Sequence, residues 1–176
     1  NPVKVCGMNN TSLQGDLAVI DHLRKMGAFI DVADGCIKAV PSHLFGAEIE
    51  CVDTPDLVPI LSVAAAVAQG TTTFTNVGRL RYKESDRLAA MKSMLASFGI
   101  NSVIGEDTFT VYGAAPEALA PVDSFGDHRI AMSAAILSTV ASGTTVIGQA
   151  GCVAKSYPAF FSDFASLGGV VEEYVN

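Results

Sequence analysis

Apolar and polar positions follow two alternating patterns along the chain, and the order of those patterns repeats. The stretches LQGDLAVIDHLRKMG (13–27), YKESDRLAAMKSMLASFG (82–99) and VAKSYPAFFSDFASLGG (153–169) space their apolar residues every three or four positions, which predicts amphipathic helices. Each begins polar and closes on a glycine: Gly27, Gly99 and Gly168, 72 and 69 residues apart. A glycine there predicts a left-handed helix C-cap. The segments that follow, AFIDV, INSVI and VVEEY, predict strands.

A second pattern interleaves with the first. TPDLVPILSVAAAVAQG (54–70) and DHRIAMSAAILSTVASG (127–143) are apolar nearly all round and end on Gly70 and Gly143, 73 residues apart. Thr-rich strands, TTTFTNV and TTVIGQA, follow. A helix without a polar face predicts burial on every side, whereas the amphipathic helices must face water. One repeat therefore reads strand, buried helix, strand, amphipathic helix, strand, strand. This predicts an α/β (α+β) domain of repeated βαβαββ units, a single domain over residues 1–176. It divides into a partial unit at 1–45, a second unit at 46–113 and a third at 114–176.

Against that template both ends are short. The first unit begins at the strand 3–7 and lacks an opening strand and a buried helix. The third ends after the strand 170–175 and lacks the last strand that the other units have at 36–40 and 108–112. The chain opens Asn-Pro-Val with no signal or transit pattern, and the expectation is a fragment of a longer parent.

Composition narrows the function classes. Of 176 residues 49% are hydrophobic and only 16% charged, which excludes a disordered chain. Eleven Lys plus Arg against eighteen Asp plus Glu leave a net charge of −7, the wrong balance for a generic nucleic-acid or acidic-membrane binder. The apolar run 57–68 is interrupted by Pro59 and Ser62 and falls short of the roughly 20 residues a membrane span needs. Cys6, Cys36, Cys51 and Cys152 lie far apart with no zinc spacing, so no metal site is expected. They read as reduced, buried thiols of a cytoplasmic protein.

In so acidic a chain the placement of cations carries information. Arg79, Arg81, Lys83, Arg87 and Lys92 fall within fourteen residues. Lys83 and Arg87, four apart, are expected to share a face in the first turns of the second amphipathic helix. His128 and Arg129 open the third unit's buried helix, and Lys155 precedes a Ser156 cap with Pro158 in the first turn. A helix N-terminus is already partly positive, so cations there are unfavourable without an anion. Three such helix starts predict a site for a multiply charged anion.

Taken singly these residues have plainer explanations. Glu84 with Arg87 makes an i, i+3 ion pair on a solvated face, His128 is a structural histidine, Asp127 a helix cap, and Lys155 surface charge. Asp56, after Thr54 and Pro55, answers to the helix dipole. Recurrence at equivalent points of the repeat favours the shared site. Asp56 and Glu84 add a general base and a general acid suited to addition and elimination on a phosphorylated substrate. The SLQGD turn is too weak to read as a phosphate loop, and no P-loop or GxGxxG is present, so no cofactor is expected.

RYKESDR (81–87), DHRIAM (127–132) and KSYP (155–158), with SLQGD and PDLVP, run in an order and spacing that resembles the 5-enolpyruvylshikimate-3-phosphate synthases, the 3-phosphoshikimate 1-carboxyvinyltransferases. The resemblance covers the whole chain and roughly the C-terminal two-fifths of such a protein. It implies an inverse-barrel-like fold of two similar domains with substrates between them, and a missing N-terminal portion of the parent as partner. It implies transfer of enolpyruvyl from phosphoenolpyruvate to the 5-hydroxyl of shikimate 3-phosphate, with release of phosphate, a step toward aromatic amino acids. Asp56 would deprotonate that hydroxyl, and Glu84 would move the proton at the phosphoenolpyruvate methylene. Lys83 would sit where the substrates meet. Arg87, Arg129 and Lys155 would hold phosphoenolpyruvate at what is also the glyphosate site, with His128 nearby. Arg79 stands where some members have an asparagine, and no role is carried onto it. The fragment alone is expected to bind anions weakly and not to turn over. A sibling enolpyruvyl transferase acting on UDP-N-acetylglucosamine and a non-catalytic anion-binding module are the alternatives.

Overall fold

The computed structural model describes residues 1–8 and 14–174. Alternating apolar residues first form β1 (Val3–Cys6), α1 (Val19–Lys25), β2 (Phe29–Ala33) and β3 (Cys36–Val40). The three strands are antiparallel with β3 in the centre, and Val5 lies opposite Ile37. The full repeat appears in the middle of the chain as β4 (Glu48–Glu50), α2 (Val58–Val67), β5 (Thr71–Thr75), α3 (Arg87–Ser97), β6 (Ser102–Ile104) and β7 (Thr108–Tyr112). Its sheet runs β4-β5-β7-β6, with β4 and β5 parallel and the other pairs antiparallel. A shorter version closes the chain: β8 (Val122–Asp123), α4 (His128–Ser138), β9 (Ile147–Gly148) and α5 (Phe160–Ser166), with β8 and β9 parallel.

The alternation on β5 and β7 points Thr72, Phe74, Phe109 and Val111 inward, all fully buried. Phe74 and Phe109 stack across the strand pair with centroids 6.4 Å apart. Helix α2 packs on this face, α3 packs on the neighbouring β6, and α4 packs on α2 and α3 to complete the core. Gly27, Gly99 and Gly168 directly follow the C-caps of α1, α3 and α5 and have positive φ, as their C-cap reading requires. Gly70 and Gly143, also at positive φ, lie beyond the ends of α2 and α4. At Gly113 a different constraint acts: a Cβ there would lie 1.8 Å from the carbonyl oxygen of Ala68, so only glycine lets the chain pass the end of α2.

Several expectations need correction. Helices α2 and α4 are not buried on every side. Each keeps one apolar stripe in solvent, Ile60 and Val67 on α2 and Ile136 with the following Val140 on α4. The second amphipathic helix begins at Arg87, because the extended Asp86 accepts a hydrogen bond from the Ala89 amide and so caps the helix there. Lys83 and Glu84 therefore precede it, and Lys83 and Arg87 do not share a helix face. Lys155 ends a 3-10 segment (Ala150–Lys155), and α5 starts only at Phe160, so Ser156 is not its cap. Pro158 explains the delay, since the residue before a proline is pushed out of helical conformation. Val170–Tyr174 forms no strand, and Val175 lies outside the described residues, as do Ser12 and Leu13 of the SLQGD turn.

The cysteines divide. Cys51 is fully buried and free, whereas Cys152 is free and only half-buried. Cys6 and Cys36 are not core thiols. The β1–β3 register sets them directly opposite each other, and they are joined in a disulfide. Wide sequence spacing gave no warning, because antiparallel pairing erases a separation of 30 residues. Among the described residues no helix is long and apolar enough to cross a membrane.

Candidate anion-binding site

Three chain segments converge on Asp56. This residue sits in the 3-10 turn Pro55–Leu57 that leads into α2, where Pro55 presets the turn. Lys83, held extended at the end of the 3-10 segment Gly78–Tyr82, places its Nζ 3.1 Å from Asp56 Oδ1. Arg87, the first residue of α3, donates from a terminal nitrogen to the same oxygen at 2.9 Å. Arg129, in the first turn of α4, donates to the Asp56 backbone oxygen at 2.9 Å, with its other terminal nitrogen 3.4 Å from Oδ2.

Arg87 is the hub. Only 1% of its side chain is exposed, and all three of its nitrogens face carboxylates. Besides Asp56, its Nε donates to Asp127 Oδ2 at 2.9 Å, and its second terminal nitrogen donates to Glu84. The i, i+3 pair of Glu84 and Arg87 thus exists, yet its arginine lies inside the protein and not on a solvated face. Asp127 caps α4 through Oδ1, which accepts from the Arg129 amide at 2.9 Å, and Ser85 donates to Oδ2 at 3.2 Å. The cap reading of Asp127 holds and is incomplete.

Lys155 Nζ donates to the Gly126 carbonyl at 2.9 Å, which brings it beside the start of α4. His128 is the first residue of α4. Its Nδ1 is buried and has no hydrogen-bond partner among the described residues. Arg79, left without a role, donates to the Val52 carbonyl, and Arg81 donates to Gly105 and Glu106 carbonyls.

The electrostatics follow from this array. Burial alone would push the Asp56 carboxyl up, but the Lys83 hydrogen bond and the charges of Arg129, Lys83 and Arg87 outweigh it. They hold the group below the usual carboxylate range. Side-chain exposures of 30% at Arg129, 32% at Lys83 and 35% at Asp56 keep these groups within reach of a solute. Lys83 and Arg129 are thus partly open to solvent, whereas Arg87 is buried. Ser85 and Asp127 are the members that sequence reading did not assign to the site. Their signal was present, an Asp-His-Arg start to an apolar helix and a serine inside KESDR, but neither type points to a buried ion pair.

Residues 1–164 match the profile of the EPSP synthase family, described as 3-phosphoshikimate 1-carboxyvinyltransferase. A relative of that name from Clostridium kluyveri is 42% identical over 96% of this chain and 39% of its own length. Another, from Methanopyrus kandleri, is 40% identical over 94% of the chain and 39% of its own length. The chain therefore spans about two-fifths of the curated relatives it matches. The solved EPSP synthase of Acinetobacter baumannii superposes with a TM-score of 0.78 at 30% identity, over 97% of this chain and 42% of that one. An enolpyruvyl transferase from Streptomyces tendae, NikO, shares the fold with a TM-score of 0.73 at 20% identity. With a profile match over nearly the whole chain and relatives from both bacteria and an archaeal genus agreeing with it, the chain belongs to the EPSP synthase family.

Proposed function

We propose that this chain is the C-terminal part of a 3-phosphoshikimate 1-carboxyvinyltransferase and supplies half of its active site. The observation that carries the reading is the meeting of Lys83, Arg87 and Arg129 on Asp56, with Glu84 on the same arginine. In the proposed reaction Glu84 relays a proton to the methylene carbon of phosphoenolpyruvate. The 5-hydroxyl oxygen of shikimate 3-phosphate bonds to C2 as Asp56 takes its proton. The tetrahedral intermediate then loses phosphate from C2 while a methyl proton returns to Glu84, which restores the double bond in the product, and the proton held by Asp56 leaves with the phosphate. That intermediate carries a carboxylate and a phosphate, and fixed cations stabilise both without reorganising. Lys83, Arg129 and Lys155 hold the anionic groups, Arg87 frames the two carboxylates, and His128, first residue of α4, is next to Arg129.

Residues 1–176 form one domain on this reading, and the remainder of the parent completes it. The second unit is the guide. Its Thr72, Phe74, Phe109 and Val111 are fully buried beneath α2, whereas Val3 and Val5 of the first sheet, the positions equivalent to Thr72 and Phe74, are 61% and 51% exposed. The exposed stripes of α2 and α4 leave further apolar surface to be covered. A strand and an apolar helix from elsewhere in the parent would cover both. A cytosolic setting belongs to the reading and requires Cys6 and Cys36 to exist there as a dithiol pair.

The test is complementation. The chain mixed with the N-terminal portion of its parent should release phosphate from phosphoenolpyruvate when shikimate 3-phosphate is present, and the chain alone should not. In the reconstituted enzyme Asp56→Asn and Glu84→Gln should each lower kcat by about a hundredfold or more, the usual scale of a lost general acid or base. Unchanged turnover in either variant refutes that residue's role, and turnover by the chain alone refutes the half-site.

A further inference from the structure

Asp127 is fully buried, and so is the arginine it touches. A helix cap needs one carboxylate oxygen at an exposed helix end. Here the cap uses only Oδ1, while Oδ2 takes the Arg87 Nε at 2.9 Å and the Ser85 hydroxyl at 3.2 Å. Withdrawing both charges from water is costly, and such a pair returns little net stability compared with apolar replacements. What it does return is geometry. The guanidinium is a rigid plane, so fixing Nε fixes the directions of both terminal nitrogens. One of these bonds Asp56 and the other Glu84. The same carboxylate fixes the first turn of α4, from which Arg129 reaches Asp56. Three of the five guanidinium N–H groups are engaged, and with 1% of its side chain exposed Arg87 acts on a ligand through the groups it orients.

We infer that Asp127, supported by Ser85, is a positioning residue that locks the Arg87 plane and the start of α4 into one array, so that an anion meets the groups they orient, Arg129 among them, in a fixed geometry. The inference rests on the reading of this cluster as the substrate pocket.

Charge and position predict opposite results at Asp127, which makes the idea testable on the chain itself. Asp127→Asn keeps the shape and the cap acceptor but removes one negative charge. If Asp127 only balanced charge, the pocket would become more positive and bind inorganic phosphate more tightly. As a positioning residue its loss weakens phosphate binding by about tenfold, the usual scale for an outer partner of a binding group. NMR titration with phosphate reads the dissociation constant, and the Arg87 Nε–H resonance reports whether the guanidinium is still held. Because Asp127 acts through Arg87, adding Asp127→Asn to an Arg87→Lys chain should change affinity by less than about twofold. Ser85→Ala, which leaves the ion pair intact, should weaken binding by about threefold.

Equal or tighter binding by Asp127→Asn overturns the inference and leaves the pocket standing, as does full additivity with Arg87→Lys. If Asp127→Asn does not fold, Ser85→Ala decides, and unaltered affinity there overturns it. Failure of the unsubstituted chain to bind phosphate overturns the pocket and the inference together.

Discussion

Replacing Arg87 with methionine removes the hub of the cluster while keeping most of its volume. The cost can be worked from its surroundings. Asp127 would remain fully buried with its charge partner gone, and breaking a buried pair in this way costs about 3–5 kcal/mol. Two donors survive at Asp127, the Ser85 hydroxyl and the Arg129 amide, which places the expected loss near the lower end, about 3 kcal/mol. Asp56 and Glu84 are partly exposed and retain water, so they add little. For a domain of this size the loss corresponds to a fall in Tm of about 6–12 °C. Urea unfolding followed by circular dichroism at neutral pH measures it. The double variant Arg87→Met/Asp127→Asn, which keeps the cap and removes both charges, should recover about 1–2 kcal/mol of the loss. A single variant within about 0.5 kcal/mol of the parent, or a double variant no better than the single, would refute the argument.

Other expectations can be checked in the same material. Because Asp56 is held below its ordinary pKa, its ionised form stabilises the fold at neutral pH. That contribution should disappear as pH falls below about 3.9, so the urea midpoints of the parent and Asp56→Asn should converge in acid; a constant gap contradicts it. Burial, together with the neighbouring Glu50 charge and despite a Thr54 hydrogen bond, pushes the Cys51 thiol up to about 12. Native alkylation at neutral pH should therefore modify the half-buried Cys152 and spare Cys51, with Cys6 and Cys36 reacting only after reduction, as peptide mass spectrometry would read. Ile136→Glu, at a site already 37% exposed, should change the stability of the chain by less than about 0.5 kcal/mol yet reduce complementation sharply. Normal complementation would place the missing helix elsewhere.

The repeat was legible because helix and strand periods, glycine caps and apolar runs are local signals. The order of β4, α2, β5, α3, β6 and β7 follows from them directly. What the sequence hid were outcomes of competition and of pairing. Asp86 outcompeted the residues before it as the cap of α3, which moved Lys83 and Glu84 off the helix. Pro158 delayed α5 in the same way. Cys6 met Cys36 only through the β1–β3 register, and no spacing rule encodes that register. At the site, the cations singled out in the sequence include Lys83, Arg87 and Arg129, which meet on Asp56. The burial of Arg87 and Asp127 did not show, because a charged residue on an expected solvated face gives no sequence signal of being inside.

The central claim is that separate segments of this chain build one anion pocket, and titration with phosphoenolpyruvate tests it most directly. Backbone amides at 83–87, at 126–129 and at 155 should all shift in an amide-correlation spectrum and yield a single dissociation constant. Shifts confined to one of these segments, or distinct constants for each, would contradict the account.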